Sequence, residues 1–132
     1  MPSDAPASQP SGKDRREYYR ITVALPIRIQ PESDTTEGVL IEQSVNISGG
    51  GFGMTVATVY QPDDILSVTM RLPDYGLFTS LAEVVRLDAL PYPEGTYRLH
   101  ARFVRMTSQD REVLIRHILI FQRNHLQAHY SA

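Results

Sequence analysis

The stretch VLIEQSVNISGGGFGMTVATVY, residues 39–60, contains two short β-like runs on either side of three consecutive glycines. Apolar and β-branched residues dominate both runs, and glycines between such runs are typical of a turn. Strands joined by so short a connection must pair antiparallel. The stretch therefore predicts a hairpin in an antiparallel sheet.

Similar runs flank this hairpin on both sides. They are ITVALPIRIQ (21–30), ILSVTMRLP (65–73), FTSLAEVVRLDAL (78–90) and TYRLHARFVRM (96–106). The gaps between them, such as QPDD and PYPEG, hold the Pro, Asp and Gly that tight turns need. No crossover helix separates any two runs, so we expect an all-β fold of six antiparallel strands within about residues 20–107, closed or split as a small barrel.

A helix is predicted after the last strand. Thr107 opens a Thr-x-x-Asp capping box, and the segment from Asp110 to Tyr130 contains neither Gly nor Pro. We expect the helix over about residues 108–129. Its apolar positions cover more than one narrow stripe; they are Val113, Leu114, Ile115, Ile118, Leu119, Ile120 and Phe121. The helix is therefore either half sunk in its own barrel or partly free for a partner helix, as in a homodimer.

The N-terminus has a different composition. Residues 1–12 carry prolines among Ala, Ser and Gly and offer little apolar surface to bury. We interpret them as a disordered tail or a linker of a larger protein, followed by one folded domain at 13–132.

Composition limits the function classes. A chain of 132 residues, 42% hydrophobic, fits one soluble domain, and a net charge of −2 argues against a general binder of nucleic-acid polymers. The absence of cysteine excludes disulfides, thiolate zinc sites and cysteine nucleophiles. No apolar run approaches the roughly 20 residues of a membrane span and no secretory h-region is visible, so a cytoplasmic location is the default expectation.

Cations nevertheless concentrate in KDRREYYRIT, residues 13–22, just before the first predicted strand. Arg16 and Arg20 form an Arg-x-x-x-Arg pair, and Arg15 directly precedes it. Guanidinium groups bind phosphate bidentately and stack on flat rings. In a mildly acidic chain this cluster indicates a local anion site.

A second motif ends the second strand, where Asn46, Ser48 and Gly51 form Asn-x-Ser-x-x-Gly. Asn46 and Ser48 are two residues apart, so they share a face of an extended strand and can reach one ligand edge. Glycine lets a ligand approach the backbone closely. The run GGGFG is not a Walker loop, because no Gly-Lys-Ser/Thr follows.

In this order, on six strands and a closing helix, the two motifs resemble those of the PilZ domain, the bacterial module that binds cyclic di-GMP. The resemblance extends over about residues 13–129. It implies a PilZ-like barrel and a non-enzymatic receptor, with no cofactor or metal, that signals to an unidentified effector in motility, pilus, biofilm or exopolysaccharide control. The ligand-binding residues it implies are Arg15, Arg16, Arg20, Asn46, Ser48 and Gly51.

The chemistry of this ligand suits the motif residues. Cyclic di-GMP carries two phosphate charges and two guanines, whose O6 and N7 acceptors match an arginine fork. Asn46 stands where the family more often has Asp; it keeps an acceptor oxygen without the charge, so affinity could be lower. In the family, an arginine at the place of Arg15 accompanies an intercalated ligand pair, so we expect two ligands per chain.

The expected mechanism is a disorder-to-order switch, in which the ligand folds the cationic segment across the barrel and presents a new surface. Two alternatives remain. One is a ligand-independent adaptor of the same fold in pilus or flagellar machinery; the other, disfavoured by charge and by aromatics at 8%, is a single-strand nucleic-acid binder.

Several other residues have ordinary interpretations. Tyr18 and Tyr19 could stack on guanine, but a tyrosine at a strand entrance more often packs on the barrel. Asp63 and Asp64 are expected to form a turn rather than a catalytic pair. The remaining candidates are the histidines: His125 and His129 have helical spacing but no third metal ligand, and His100 and His117 are expected to be structural or exposed.

Overall fold

The computed structural model describes residues 20–131. After Ile120, it describes the backbone of the helix and, among the side chains, that of Arg123. Six strands precede a helix. They are β1 (Arg20–Pro31), β2 (Ile41–Ser48), β3 (Gly51–Val56), β4 (Ile65–Leu72), β5 (Gly76–Ala89) and β6 (Tyr97–Val104), followed by α1 (Ser108–Ser131). The predicted strands and helix are confirmed, with β3 shorter than its sequence run and β5 starting slightly earlier.

The strands close into one barrel in the order β1-β2-β3-β6-β5-β4, and every pairing is antiparallel. β4 pairs with β1 only from Ile27 to Pro31. Pro26, which lacks an N–H, lies just before that seam, where β1 has no β4 neighbour. The helix α1 contacts β1 and β2.

Side chains alternate between the barrel interior and its outer surface. β2 buries Val45 and Ile47, and β6 buries Leu99, Ala101 and Phe103. Because successive side chains point to opposite faces, the residues between them face outward. The outward sets that matter below are Asn46 and Ser48 on β2, Gly51 and Gly53 on β3, and Arg98, His100 and Arg102 on β6.

The helix is capped at its N-terminus and packs against the barrel. Thr107 Oγ1 accepts a hydrogen bond from the Asp110 N–H at 3.0 Å, which confirms the predicted N-cap. Leu114 and Ile118 are buried in the core cluster, whereas Leu119 is 38% exposed. Part of the wide apolar face therefore packs on the barrel and part does not. Among the described residues, no helix combines the length and the apolar character needed to cross a membrane.

Candidate functional site

A groove of about 490 Å³ lies on the outer surface of the barrel, over the β2-β3-β6 part of the sheet. This size is within the range of about 300–1,000 Å³ that small-molecule sites occupy. Among the residues that line it are Arg20, Asn46, Ser48 and Gly51 from the predicted motifs. The structure thus brings these four together from three strands. Arg15 and Arg16, and also Tyr18 and Tyr19, lie outside the described residues.

Strand register explains why the motifs meet. Arg20 is the direct partner of Ser48 across β1 and β2, and Asn46 is the partner of Gly53 across β2 and β3. Directly opposed residues on one face of an antiparallel pair have their Cβ positions about 5 Å apart. The first motif's last arginine is therefore held beside the second motif by the β1-β2 pairing itself.

Asn46 is oriented by its neighbour on β1. Its Nδ2 donates a hydrogen bond to Thr22 Oγ1 at 3.1 Å. With the amide nitrogen engaged, the carbonyl oxygen Oδ1 accepts no hydrogen bond from the residues that the structure describes. An acceptor is thereby available at the groove for a ligand donor.

Ser48 has a structural task in the turn between β2 and β3. It is 8% exposed, and its Oγ accepts the Gly50 N–H at 3.1 Å. The turn is also bonded from outside, because Arg111 Nε of α1 donates to the Gly49 carbonyl at 3.2 Å. Ser48 therefore holds the rim of the groove in shape, and α1 is tied to the same turn.

Two outward glycines form the floor of the groove. A Cβ on Gly51 would lie 2.3 Å from the Ala101 carbonyl oxygen, so the close approach of β3 to β6 itself requires glycine there. A Cβ on Gly53 would lie 3.3 Å from Nη2 of Arg98, whose side chain extends over this glycine. The floor is bare backbone in both places.

A row of basic residues on β6 forms the opposite wall, and sequence reasoning missed it. Arg98, His100 and Arg102 line the groove, together with Arg86 of β5. Their alternation in TYRLHARFVRM carries the signal, since residues two apart share a face of a strand. A β-bulge between Val84 and Arg86 shifts the register of β5 at this point.

Two acids partly neutralise this wall. Glu83 Oε1 accepts hydrogen bonds from Nε and Nη2 of Arg102 at 3.0 and 2.5 Å. Asp88 Oδ2 lies 3.0 Å from Arg86 Nε and 3.4 Å from His100 Nε2. Exposed ion pairs of this kind add little stability, but they restrict where the arginine side chains lie.

His100 differs from the arginines because its charge is conditional. Burial lowers the pKa of its imidazole below the usual 6.5, and the positive charges of Arg86 and Arg98 lower it further, against an opposing effect of Asp88. His100 is therefore mainly neutral near pH 7. It adds a hydrogen-bonding ring, and a positive charge only in acid.

The other candidates lie away from the groove. Asp63 has a positive φ and Asp64 accepts the Gln61 N–H at 2.8 Å, so both belong to a turn as predicted. His117, a residue of α1, is buried, and its ring lies 5.4 Å from the Tyr75 ring. The side chains of His125 and His129 lie outside the described part, within which no three His, Cys, Asp or Glu side chains are grouped for a metal ion.

Comparisons with known proteins agree with this architecture. Residues 14–119 match the sequence model of the PilZ domain. The Bacillus subtilis inhibitor of motility MotI/DgrA superposes with a TM-score of 0.65 at 25% identity, covering 83% of this chain and 52% of its own. This chain thus spans about half the length of MotI. No curated protein sequence matches.

Two further solved structures share the fold. The PilZ domain of Escherichia coli YcgR, determined with c-di-GMP, has a TM-score of 0.67 at 17% identity and covers 89% of this chain and 99% of its own. A tetrameric PilZ protein of Xanthomonas campestris, assembled through a helical bundle, has a TM-score of 0.71 at 13% identity, covering 89% and 95%. At these identities the likeness shows the fold alone.

Proposed function

Because the chain belongs to the PilZ domain family, we propose that it is a non-enzymatic receptor for cyclic di-GMP, consistent with the binding role of that domain. The observation that carries the proposal is the convergence of Arg20, Asn46, Ser48 and Gly51 in one groove. These residues come from three strands, yet all face the same concave surface. The E. coli YcgR domain that shares this fold was determined with the same ligand.

Each motif residue has a role that its geometry allows. Arg20, exposed at the start of β1, binds a phosphate or the O6/N7 edge of a guanine. Asn46 accepts from guanine N1 or N2 through Oδ1, since its Nδ2 is held by Thr22. Ser48 and Gly51 contribute mainly by shaping the rim and floor, because Ser48 bonds its own turn.

Calorimetric titration with cyclic di-GMP tests the proposal. We expect saturable binding to the wild type and loss of heat in the Arg16→Ala/Arg20→Ala variant. Arg71→Ala is the matched control, because Arg71 is an exposed arginine of β4 that does not line the groove. Absence of binding to the wild type would refute the receptor function, and equal heats in the wild type and the double variant would refute the roles of Arg16 and Arg20.

The N-terminal arginines complete the proposed site. Arg15 and Arg16 precede β1, whose first residue Arg20 already lines the groove, so the segment is connected to the site by a few residues. The ligand folds this segment over the groove, within a domain that starts near residue 13. Hydrogen exchange of residues 13–19 should slow on ligand addition; unchanged exchange at saturation would contradict the ordering mechanism.

Two ligands per chain is the proposed stoichiometry. A ligand pair brings four phosphate charges, and the guanidinium of Arg15 adds to the positive charge that opposes them. We expect calorimetric saturation at two equivalents, falling to one in Arg15→Ala. Saturation of the wild type at one equivalent would contradict the role of Arg15 and leave the receptor function intact.

The output of the receptor is motility or a related surface behaviour, acting in the cytoplasm through an effector protein. The similarity to MotI, described as an inhibitor of motility, supports this direction. The alternative is a ligand-independent adaptor. Capture of the effector at equal strength with and without cyclic di-GMP would favour the adaptor.

A homodimer through α1 is a further part of the proposal. Leu119 is 38% exposed on the helix, beside positions buried in the barrel. Sedimentation equilibrium of the wild type and Leu119→Glu, with and without ligand, tests it. A wild type that sediments as a monomer in both conditions would exclude the dimer.

A further inference from the structure

We propose that Arg98, which belongs to neither motif, is a further ligand-binding residue whose guanidinium binds a phosphate of the cyclic dinucleotide. The inference rests on the proposed function and adds the β6 wall to its site. It arises from the position, the charge and the surroundings of this one side chain.

The guanidinium of Arg98 lies beside a diagonal neighbour on β3 rather than beside its direct partner. Across β3 and β6 its partner is Thr55, yet its Nη2 lies 3.3 Å from where a Cβ on Gly53 would be. The side chain of Arg98 therefore leans along β3 by two residues, from Thr55 to Gly53. Gly53 is the partner of Asn46 on one side and of His100 on the other. The guanidinium therefore lies over the glycine floor, between Asn46 and the β6 wall.

Arg98 lies opposite Asp88 across β5 and β6, but the acids near it are engaged by other residues. Glu83 is occupied by Arg102, and Asp88 lies beside Arg86 and His100. Arg98 forms no ion pair with any side chain that the structure describes. It is half-buried in a concave site, where a charge is screened less than on an open surface.

An anionic group is the natural complement of this arrangement. Guanidinium binds phosphate oxygens by short, charge-assisted hydrogen bonds, often two in parallel. The bare backbone beneath Arg98 leaves its outer edge clear, since Gly53 has no side chain to compete for it. A phosphate near Asn46 would thus be within reach of the β6 wall.

Titration of Arg98→Gln with cyclic di-GMP tests the inference. Loss of a hydrogen-bonded charged partner is expected to weaken binding about 10- to 100-fold. Arg98→Lys retains the charge and is expected to bind within about fivefold of the wild type, because lysine also binds phosphate as a point charge. Arg71→Gln, the same change outside the groove, should leave the affinity unaltered.

The other outcomes overturn the inference. Wild-type affinity in Arg98→Gln, or an equal loss in Arg71→Gln, would remove Arg98 from the site, while loss of binding in Arg16→Ala/Arg20→Ala would still support the receptor. Equal loss in Arg98→Gln and Arg98→Lys would assign Arg98 to a guanine edge or ring instead of a phosphate. Absence of binding to the wild type would refute the receptor function itself.

A second variant probes the same contact without removing the arginine. In Gly53→Ala the new Cβ must displace the tip of Arg98 by a few tenths of an ångström, and its next neighbour, the Leu99 carbonyl oxygen, is at an ordinary 3.5 Å. We expect a folded protein with severalfold weaker binding. If a folded Gly53→Ala and Arg98→Gln both bind cyclic di-GMP with wild-type affinity, the contact between Arg98 and the ligand is rejected.

Discussion

The substitution Gly51→Ala separates a structural role of the Asn-x-Ser-x-x-Gly motif from a ligand-binding one. The alanine Cβ would lie 2.3 Å from the Ala101 carbonyl oxygen and 3.0 Å from the Arg102 Cα. The first distance is about 1 Å short of the 3.4 Å where ordinary van der Waals contact begins. Both neighbours are backbone of β6, so relief requires the strands to separate.

The expected cost follows from that geometry. Overpacking a rigid site costs about 1–3 kcal/mol, and a backbone clash that also stretches the β3-β6 hydrogen bonds belongs at the upper end, about 3 kcal/mol. For a domain of this size each kcal/mol lowers Tm by about 3–4 °C, so Gly51→Ala should lose about 10 °C. The loss occurs without ligand, because the strand pairing does not depend on one.

Thermal unfolding followed by circular dichroism measures this cost. Gly53→Ala is the matched control, since its Cβ meets the flexible end of Arg98 at 3.3 Å and should change Tm by less than about 3 °C. A ligand-free Gly51→Ala that melts with the wild type, or a Gly53→Ala that loses as much, would refute the steric argument. If the argument holds, weak ligand binding by Gly51→Ala reports a distorted barrel as much as a lost contact.

Three further predictions concern the helix, the core and the groove. Thr107→Ala removes the acceptor of the Asp110 N–H and should lower the free energy of unfolding by about 1 kcal/mol, whereas Thr107→Ser should lower it much less. Equal Tm values for Thr107→Ala and the wild type in thermal unfolding would contradict the cap. Leu114→Ala, at a fully buried position, should lower the free energy of unfolding in denaturant by about 2–5 kcal/mol. The control Leu77→Ala, at an exposed position, should lower it by less than about 0.5 kcal/mol. Similar losses in the two variants would contradict the packing of α1. In the free protein, burial and neighbouring arginines lower the pKa of His100. A bound phosphate would raise this pKa, so the complex would bind more protons than the free protein. Ligand affinity should therefore rise as pH falls from about 7.5 to 6. Calorimetry across this pH range should show the rise in the wild type and not in His100→Gln; parallel profiles would exclude His100 as its source.

The strands could be predicted because each is a local pattern. Alternation of buried and outward residues is visible within a run such as TYRLHARFVRM, and turn residues mark its ends. The barrel order is a different kind of information. The β3-β6 and β1-β4 pairings join strands that are far apart in sequence, and a local pattern does not specify its distant partner.

The site divides in the same way. Asn46 and Ser48 could be identified because a motif places them two residues apart on one strand. Arg98 could not, because its importance depends on Gly53, a glycine on β3 that becomes its neighbour only when β3 pairs with β6. Alternation shows that Arg98, His100 and Arg102 share a face, but not which surface lies beside them.

The charges of the groove resolve the contrast between a chain of net charge −2 and the proposed site for a dianion. Arg86 and Arg102 are each paired with an acid of β5, so they build the wall and contribute little net charge. Arg20 and Arg98 form no ion pair within the described residues, and they stand on opposite sides of the glycine floor. Among the described residues that line the groove, the arginines without an ion pair are thus two, and both face one concave surface. A compact ligand with two phosphates can contact both at once, and Arg15 and Arg16 add to them in the proposed site. An extended polyanion would also meet Glu83 and Asp88, so a local cluster of cations in an acidic protein favours the small ligand.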